Sequence, residues 1–361
     1  MLILKEKFWR VFFFLAVFAM FFVISCSQET GKQEEKQALP GEGITVRPGR
    51  ATWTTGFFSE ALYSQALKEL GYDVEKPKDL SNPIFYQAVA QGDVDFWANG
   101  WYPLHKAQFP KNFDEKAKIA GYVVKSGALQ GYLVSKKHVE EFGIQSLDDF
   151  KRPEVKKAFD SNGDGKADLV ACPPGWGCEK AIAFHLESYG LKYHINPIQA
   201  GYSASMASAL AAYKAEKPIF FYTWTPNWTV FKLKPGQDVM WINVPENIPR
   251  ESEKEWADYM TQSEIAGAVT SPLKMGFPAN DLVVVANKNF LQKNPAAAKL
   301  FEIMSLPLDD IALQNNRMFG GENSQKDIQR HVTEWKALNL EKWQAWLDEA
   351  KKAAKQKTET N

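Results

Sequence analysis

The sequence predicts an α/β protein of two lobes joined by two crossings, with the first lobe discontinuous along the chain. Three observations predict it. A strand–helix–strand pattern opens the chain, and new strand and helix patterns begin after Gln130. The apolar run Val239–Val244 reads as a strand and a return to the first lobe. Three tryptophans, Trp101, Trp176 and Trp224, sit in turns that follow strand patterns. Such strand ends are where open α/β sheets bind ligands, and loops from two lobes would share one cleft.

Taken in order, the chain begins with a targeting segment. Lys5, Lys7 and Arg10 precede the apolar run Val11–Ile24, which has the length of a signal h-region and is short for a membrane span. It ends in Val23-Ile-Ser-Cys26, which looks like a bacterial lipobox. Residues 1–25 are therefore read as a lipoprotein signal peptide and Cys26 as the lipidated first residue, the alternative being an uncleaved anchor. Residues 26–39, rich in Gln, Glu and Lys, form a tether predicted to be disordered. Lobe I is predicted over 40–128 and 243–357, and lobe II over 129–242.

In lobe I, Gly43–Val46 is a strand, Thr54–Leu70 a helix stopped by Gly71, and Tyr72–Val74 a strand. Ile84–Ala90 is a helix closed by Gly92. Val94, Phe96 and Ala98 alternate as a strand that runs into a predicted loop, Asn99–His105. In lobe II, Tyr132–Val134 is a strand and Lys151–Phe159 a helix. Leu169–Ala171 leads into the loop around Trp176, and a helix pattern follows. Ala204–Lys214 is a helix. Pro218–Tyr222, apolar throughout, is a buried strand that delivers Thr223-Trp-Thr-Pro-Asn-Trp228. After the return, 246–275 is irregular and charged. Leu282–Ala286 is a strand, Asn294–Leu306 and Asp309–Met318 are helices, and Gln325–Ala350 is one amphipathic helix with Trp335, Trp343 and Trp346 at core spacing. The Lys-rich end is predicted to fray.

Composition narrows the function. Lys plus Arg and Asp plus Glu number 43 each, so the net charge is near zero, which argues against a nucleic-acid partner. Twelve tryptophans is a high count. Besides Cys26 only Cys172 and Cys178 occur, and in an exported protein this pair argues for a disulfide. A zinc site or a catalytic thiol are the alternatives; zinc would need two further ligands.

The stretch Cys172-Pro-Pro-Gly-Trp-Gly-Cys178 reads as a short rigid loop projecting one indole face. Gly177 and Cys178 would open the following helix, where free N–H groups receive anions. The contexts of Trp101, Trp176 and Trp224, beside Gly, Pro, Thr or Asn, are not those of core tryptophans; Trp97 reads as core, and Trp228 and Tyr102 as outlying candidates. Three indoles around one point suit a quaternary ammonium, which cannot hydrogen-bond. At about 2 kcal/mol per desolvated wall they could supply on the order of 6 kcal/mol. After ordering costs, a micromolar Kd, about −8 kcal/mol, is within reach. The amides of Gly177 and Cys178, with the imidazole of His105, can receive a carboxylate. The ligand expected is a small zwitterion such as a betaine, with no cofactor.

These residues carry a resemblance. Gly92-Asp93 through Trp101-x-Pro-Leu-His105, Asn162-Gly-Asp-Gly-Lys-Ala-Asp-Leu169, Pro174-Gly-Trp-Gly-Cys-Glu179, Tyr222-Thr-Trp-Thr-Pro226, Val285-Ala-Asn-Lys288, Asn294 to Phe301 and Asp327-Ile-Gln329 resemble the ProX-type glycine betaine/proline betaine-binding proteins. The resemblance runs from about Leu39 to Ala350. It implies a two-lobe, type II periplasmic-binding-protein fold that closes on its ligand. It implies an aromatic box of Trp101, Trp176 and Trp224, carboxylate contacts on the backbone of Gly177 and Cys178 with His105 close by, and a Cys172–Cys178 disulfide. It also implies delivery of an osmoprotectant to the permease and ATPase of an ABC importer. The protein is then an extracytoplasmic, membrane-anchored monomer, on the periplasmic side if the envelope is Gram-negative. The lipobox, Trp97, Gly100 and the segment 246–275 depart from the family pattern.

Three other readings stand beside this one. The ligand could be another quaternary ammonium compound or amino acid, such as choline or carnitine. An enzyme would use Cys178 as nucleophile and His105 or His185 as base. Asp160, Asn162, Asp164 and Asp168 copy the first part of a calcium loop, but its last position is Ala171; the alternative is an Asx-rich turn.

Overall fold

Backbone hydrogen bonding sorts the longer strands into two sheets. The first holds Phe96–Tyr102, Asn280–Asn287 and Ala117–Ala128 in that spatial order, all antiparallel. The second has the order Val239–Ile242, Gln130–Ser135, Phe220–Trp224, Ala167–Val170, Ile195–Ile198. Phe220–Trp224 lies antiparallel to Gln130–Ser135 and parallel to Ala167–Val170. All five of its residues are buried, as a central strand covered on both faces requires. The computed structural model describes residues 38–360, with side chains through 356. The predicted signal segment, Cys26 and nearly all of the tether lie outside the described residues.

The chain passes from the first sheet to the second through Leu129 alone. It re-enters the first sheet at Asn280. In between, a 3-10 helix, Glu251–Met260, and the short pair Thr261–Gln262 and Leu273–Lys274 occupy the segment expected to be irregular. This segment stays against the second sheet. Trp241 N donates to Gly267 O, Val244 N donates to Lys274 O, and the Phe277 ring is 5.8 Å from Tyr132.

Three expectations need correction. The predicted loop Asn99–His105 is strand as far as Tyr102, then a 3-10 turn, Leu104–Gln108. Asn99 and Gly100 are poor strand formers, but a Cβ on Gly100 would sit 2.9 Å from Val283 Cγ2, so only glycine lets this strand pair closely there. Gln325–Ala350 is two helices, Gln325–Leu338 and Leu340–Thr360, broken at Asn339, whose Nδ2 returns to Trp335 O at 2.9 Å. The end expected to fray continues that last helix, which packs on Pro295–Ile303 and carries Lys351–Asp348 and Lys352–Glu349 pairs. The twelve-residue strand Ala117–Ala128 has no sequence signal, because Lys118, Gly121, Lys125 and Gly127 interrupt its alternation. Gly121 is needed where the backbone of Phe301 crosses, since a Cβ would overlap Phe301 O. Trp335, Trp343 and Trp346 do form a buried cluster, with centroids 6.2–6.4 Å apart.

Candidate functional site

One wall of the site grows from the first sheet. Trp101 ends the strand Phe96–Tyr102, and Trp53 lies in the turn before the helix Thr55–Glu69. The two indoles are held by one acceptor: Asn99 Oδ1 receives Trp53 Nε1–H at 2.7 Å and Trp101 Nε1–H at 3.3 Å. Asn99 is buried, so this pairing fixes both ring planes in a place closed to water.

The opposite wall grows from the second sheet. Trp176 is the N-cap of the helix Gly177–Ser188. Cys172 and Cys178 are joined as a disulfide with Cα atoms 6.0 Å apart, which ties the loop to that helix's first turn. Gly175 has φ +87°, a left-handed conformation suited to glycine, and its N–H donates to Glu179 Oε2 at 2.7 Å. As the first two helical residues, Gly177 and Cys178 have N–H groups with no acceptor inside the helix. Trp224 pairs in register with Gln130 across adjacent strands, and Tyr222 precedes it by one strand period.

The walls meet around a hollow of about 270 Å³, its open mouth included. It is bounded by Trp53, Trp101, Trp176 and Trp224, by Gly177 and Cys178, and by Leu104, His105, Gln130 and Tyr222. Trp176 lies edge-on to Trp53 at 5.3 Å and to Trp224 at 5.5 Å. Its Nε1–H crosses between the walls to Thr52 Oγ1 at 3.0 Å. A wider hollow of about 970 Å³ borders Trp53, Trp176 and Trp224 as well, so these rings partition an inner chamber from the outer cleft.

The lining contains no carboxylate, lysine or arginine. Its one imidazole, His105, is buried, and that burial, with a smaller effect of Arg250, lowers its pKa to about 3. Nδ1 lies 3.2 Å from the Trp101 amide and 2.8 Å from Tyr86 Oη, and Nε2 lies 2.8 Å from Asn82 Nδ2, so both ring nitrogens are engaged by the protein itself. The chamber is therefore neutral, with π faces and amide donors.

His185 is buried in the same way, between Tyr132 Oη and Gly276 O, and its pKa is also lowered to about 3. Glu60, buried beside Ser64, is raised to about 7 by burial. The signs oppose. Between pH 6.5 and 4.5 the unfolded chain holds about one to two imidazole protons that the fold refuses. Folded Glu60 holds most of a carboxyl proton that the unfolded chain takes up only toward pH 4.5. These three groups thus make stability fall with acidification by about one net proton, about 1.4 kcal/mol per pH unit. Urea unfolding at pH 6.5, 5.5 and 4.5 reads this slope; a flat or rising stability toward pH 4.5 would contradict it.

The family model for the substrate-binding domain of ABC-type glycine betaine transport systems matches residues 44–337. The chain belongs to this family. It is 43% identical over 318 residues to the glycine betaine-binding periplasmic protein OusX of Dickeya dadantii, and 41% identical to the glycine betaine/proline betaine-binding periplasmic protein of Escherichia coli. Each alignment covers 88% of this chain and 93% of the relative. Lactococcal OpuAC in its closed, glycine betaine-liganded form superposes with a TM-score of 0.62 at 20% identity, covering 84% of this chain and 99% of that one. A choline-binding protein of an ABC transporter, solved with choline, gives 0.65 at 19%, covering 86% and 96%. The fold is the two-lobe fold of periplasmic substrate-binding proteins.

Within this substrate-binding family member, the structure brings Trp101, Trp176, Trp224, Gly177, Cys178 and His105 to one cavity. Trp53, Gln130 and Tyr222 join them without having been expected. Thr52-Trp53-Thr54 repeats the pattern Thr223-Trp224-Thr225 and could have pointed to Trp53; Gln130 had no signal. Trp97 is buried against Phe85 at 4.2 Å, outside the chamber lining. Trp228 stacks on Phe319 at 3.5 Å and borders only the outer hollow, while Tyr102 packs on Trp256 at 5.3 Å. The carboxylates of the weak calcium candidate are engaged within their own loop. Asp160 accepts from the amides of Gly163, Asp164 and Gly165, and Asp168 from Ser161, Asn162 and Asn196. Among the described residues no three His, Cys, Asp or Glu converge to hold a metal ion. The loop is the Asx-rich turn, closed by its own donors.

Proposed function

We propose that the protein binds glycine betaine or proline betaine in the inner chamber and delivers it to an ABC importer. The observation that carries this is a neutral chamber walled by four indoles, with two helix-terminal amides in its lining. A quaternary ammonium fits the π faces, and a carboxylate fits the amides of Gly177 and Cys178, with the uncharged His105 ring beside them. A ligand with no net charge leaves no unpaired ion in the closed site. The names of the relatives from Dickeya dadantii and Escherichia coli support the same ligand class.

Isothermal calorimetry with glycine betaine and proline betaine tests this. A micromolar Kd is expected, and no heat up to several millimolar ligand would overturn the reading. An enzyme using Cys178 has little support, since that sulfur is bonded to Cys172. We also assign lobe I to 40–128 and the chain from Asn280 onward and lobe II to 129–279, in place of the return at 243 expected from the sequence, because 243–277 pack on the second sheet; the chamber lies between the lobes. Cys26 at the end of a lipobox supports an extracytoplasmic chain anchored by lipid. Labelled fatty acid is expected to enter the wild-type chain and not Cys26→Ala; equal labelling refutes the anchor.

A further inference from the structure

Among the polar groups of the chamber, Gln130 stands apart. It is 1% exposed and lines the cavity. Its Oε1 accepts the Tyr222 hydroxyl at 2.6 Å, and Tyr222 is itself buried, so the carboxamide has one fixed end. Its Nε2 has no hydrogen-bond partner at all. A buried amide nitrogen without an acceptor costs free energy unless something else accepts from it. The in-register pairing of Gln130 with Trp224 places it beside an indole of the box, on the sheet that also carries Tyr222.

We propose that Gln130 Nε2 donates to the carboxylate of the bound ligand and makes the chamber select a zwitterion over a simple quaternary cation. This rests on the betaine reading above. An N–H donor gains nothing from an ammonium group, and its dipole opposes a cation. With a carboxylate the orphan donor is satisfied at the moment the chamber closes. Tyr222 is the positioning residue: its hydroxyl occupies Oε1 and so leaves the NH₂ end to face the ligand. The amides of Gly177 and Cys178 come from one helix turn, whereas Gln130 approaches from the neighbouring strand. The carboxylate would then be gripped from two directions, which fixes its orientation.

Two variants test this by calorimetry with glycine betaine and choline, each checked for folding by its thermal transition. Gln130→Met keeps the length and removes the donor. It is expected to weaken glycine betaine about tenfold or more while leaving choline within about twofold. Gln130→Glu places a carboxylate against the ligand's own. Glycine betaine affinity is expected to fall about a hundredfold at pH 8 and to recover as the pH is lowered to 5, because the new carboxyl binds a proton to accommodate the ligand. The wild type stays flat over that range. Tighter binding by Gln130→Glu means that the carboxamide presents its oxygen to the cation, and overturns the proposal. Unchanged glycine betaine affinity in both variants, with no pH dependence in Gln130→Glu, overturns it too. Failure of the wild type to bind any betaine is a different result, and strikes the proposed function itself.

Discussion

Trp224→Ala is expected to raise the Kd for glycine betaine at least tenfold. The ring is 5% exposed, walls the chamber beside Gln130, and lies 5.5 Å from Trp176 and 4.7 Å from Tyr202. Its Nε1–H has no acceptor, so hydrogen bonding does not explain its position; the ring is held by packing. Losing one desolvated cation–π wall, about 2 kcal/mol, corresponds to about thirtyfold in affinity. Water entering the vacated volume would weaken the other walls as well. Because a buried Trp→Ala change also costs stability, Trp224→Leu serves as a second variant that keeps apolar bulk and removes the π face. Trp343→Phe is the control. That indole donates to Glu69 at 3.0 Å in the C-terminal cluster, so the change should lower the melting temperature and leave Kd alone. A Kd within twofold of wild type for both Trp224 variants would remove this ring from the box.

Gly177→Ala is the second large effect. A Cβ there would sit 2.8 Å from His105 Cδ2 and 3.1 Å from Leu104 Cδ2, both carried by the opposite wall. The overlap exists only when the walls meet. In an open protein the added methyl touches neither side chain, and alanine is the better helix former. The variant should therefore melt at or above the wild-type temperature without ligand and yet bind betaine at least tenfold more weakly, since closure would push the 177–178 amides off their line. Stability and affinity moving in opposite directions distinguishes this from ordinary damage. Equal affinity would show that the helix terminus does not approach the other wall in the bound state.

How far the sequence could be read follows from what each signal measures. Phe220–Trp224 was visible because a central strand is apolar on both faces, and the 335–346 cluster because core tryptophans keep helical spacing. Trp101, Trp176 and Trp224 stood out through their turn-forming neighbours, although Trp101 and Trp224 are strand residues in the fold. Trp53 carried a comparable context but led directly into a helix and was absorbed into it. Asn99 and Gln130 were invisible for a different reason. Asn99 matters because it meets two indoles at once, and Gln130 because register sets it against Trp224. Tertiary pairing of that kind leaves no local pattern. The strand Ala117–Ala128 was lost because its glycines serve a backbone crossing rather than a turn.

The absence of carboxylate, lysine and arginine from the chamber wall has a consequence for the conditions in which the protein can work. Dissolved ions weaken attraction between charges, and at molar ionic strength the screening distance is about 3 Å. A site built on ion pairs would lose its grip as the medium became more concentrated. Rings and main-chain amides carry no net charge for those ions to screen, so calorimetric affinity should stay within about threefold from dilute buffer to molar sodium chloride. A steep decline would mean that a charge outside the chamber takes part in holding the ligand.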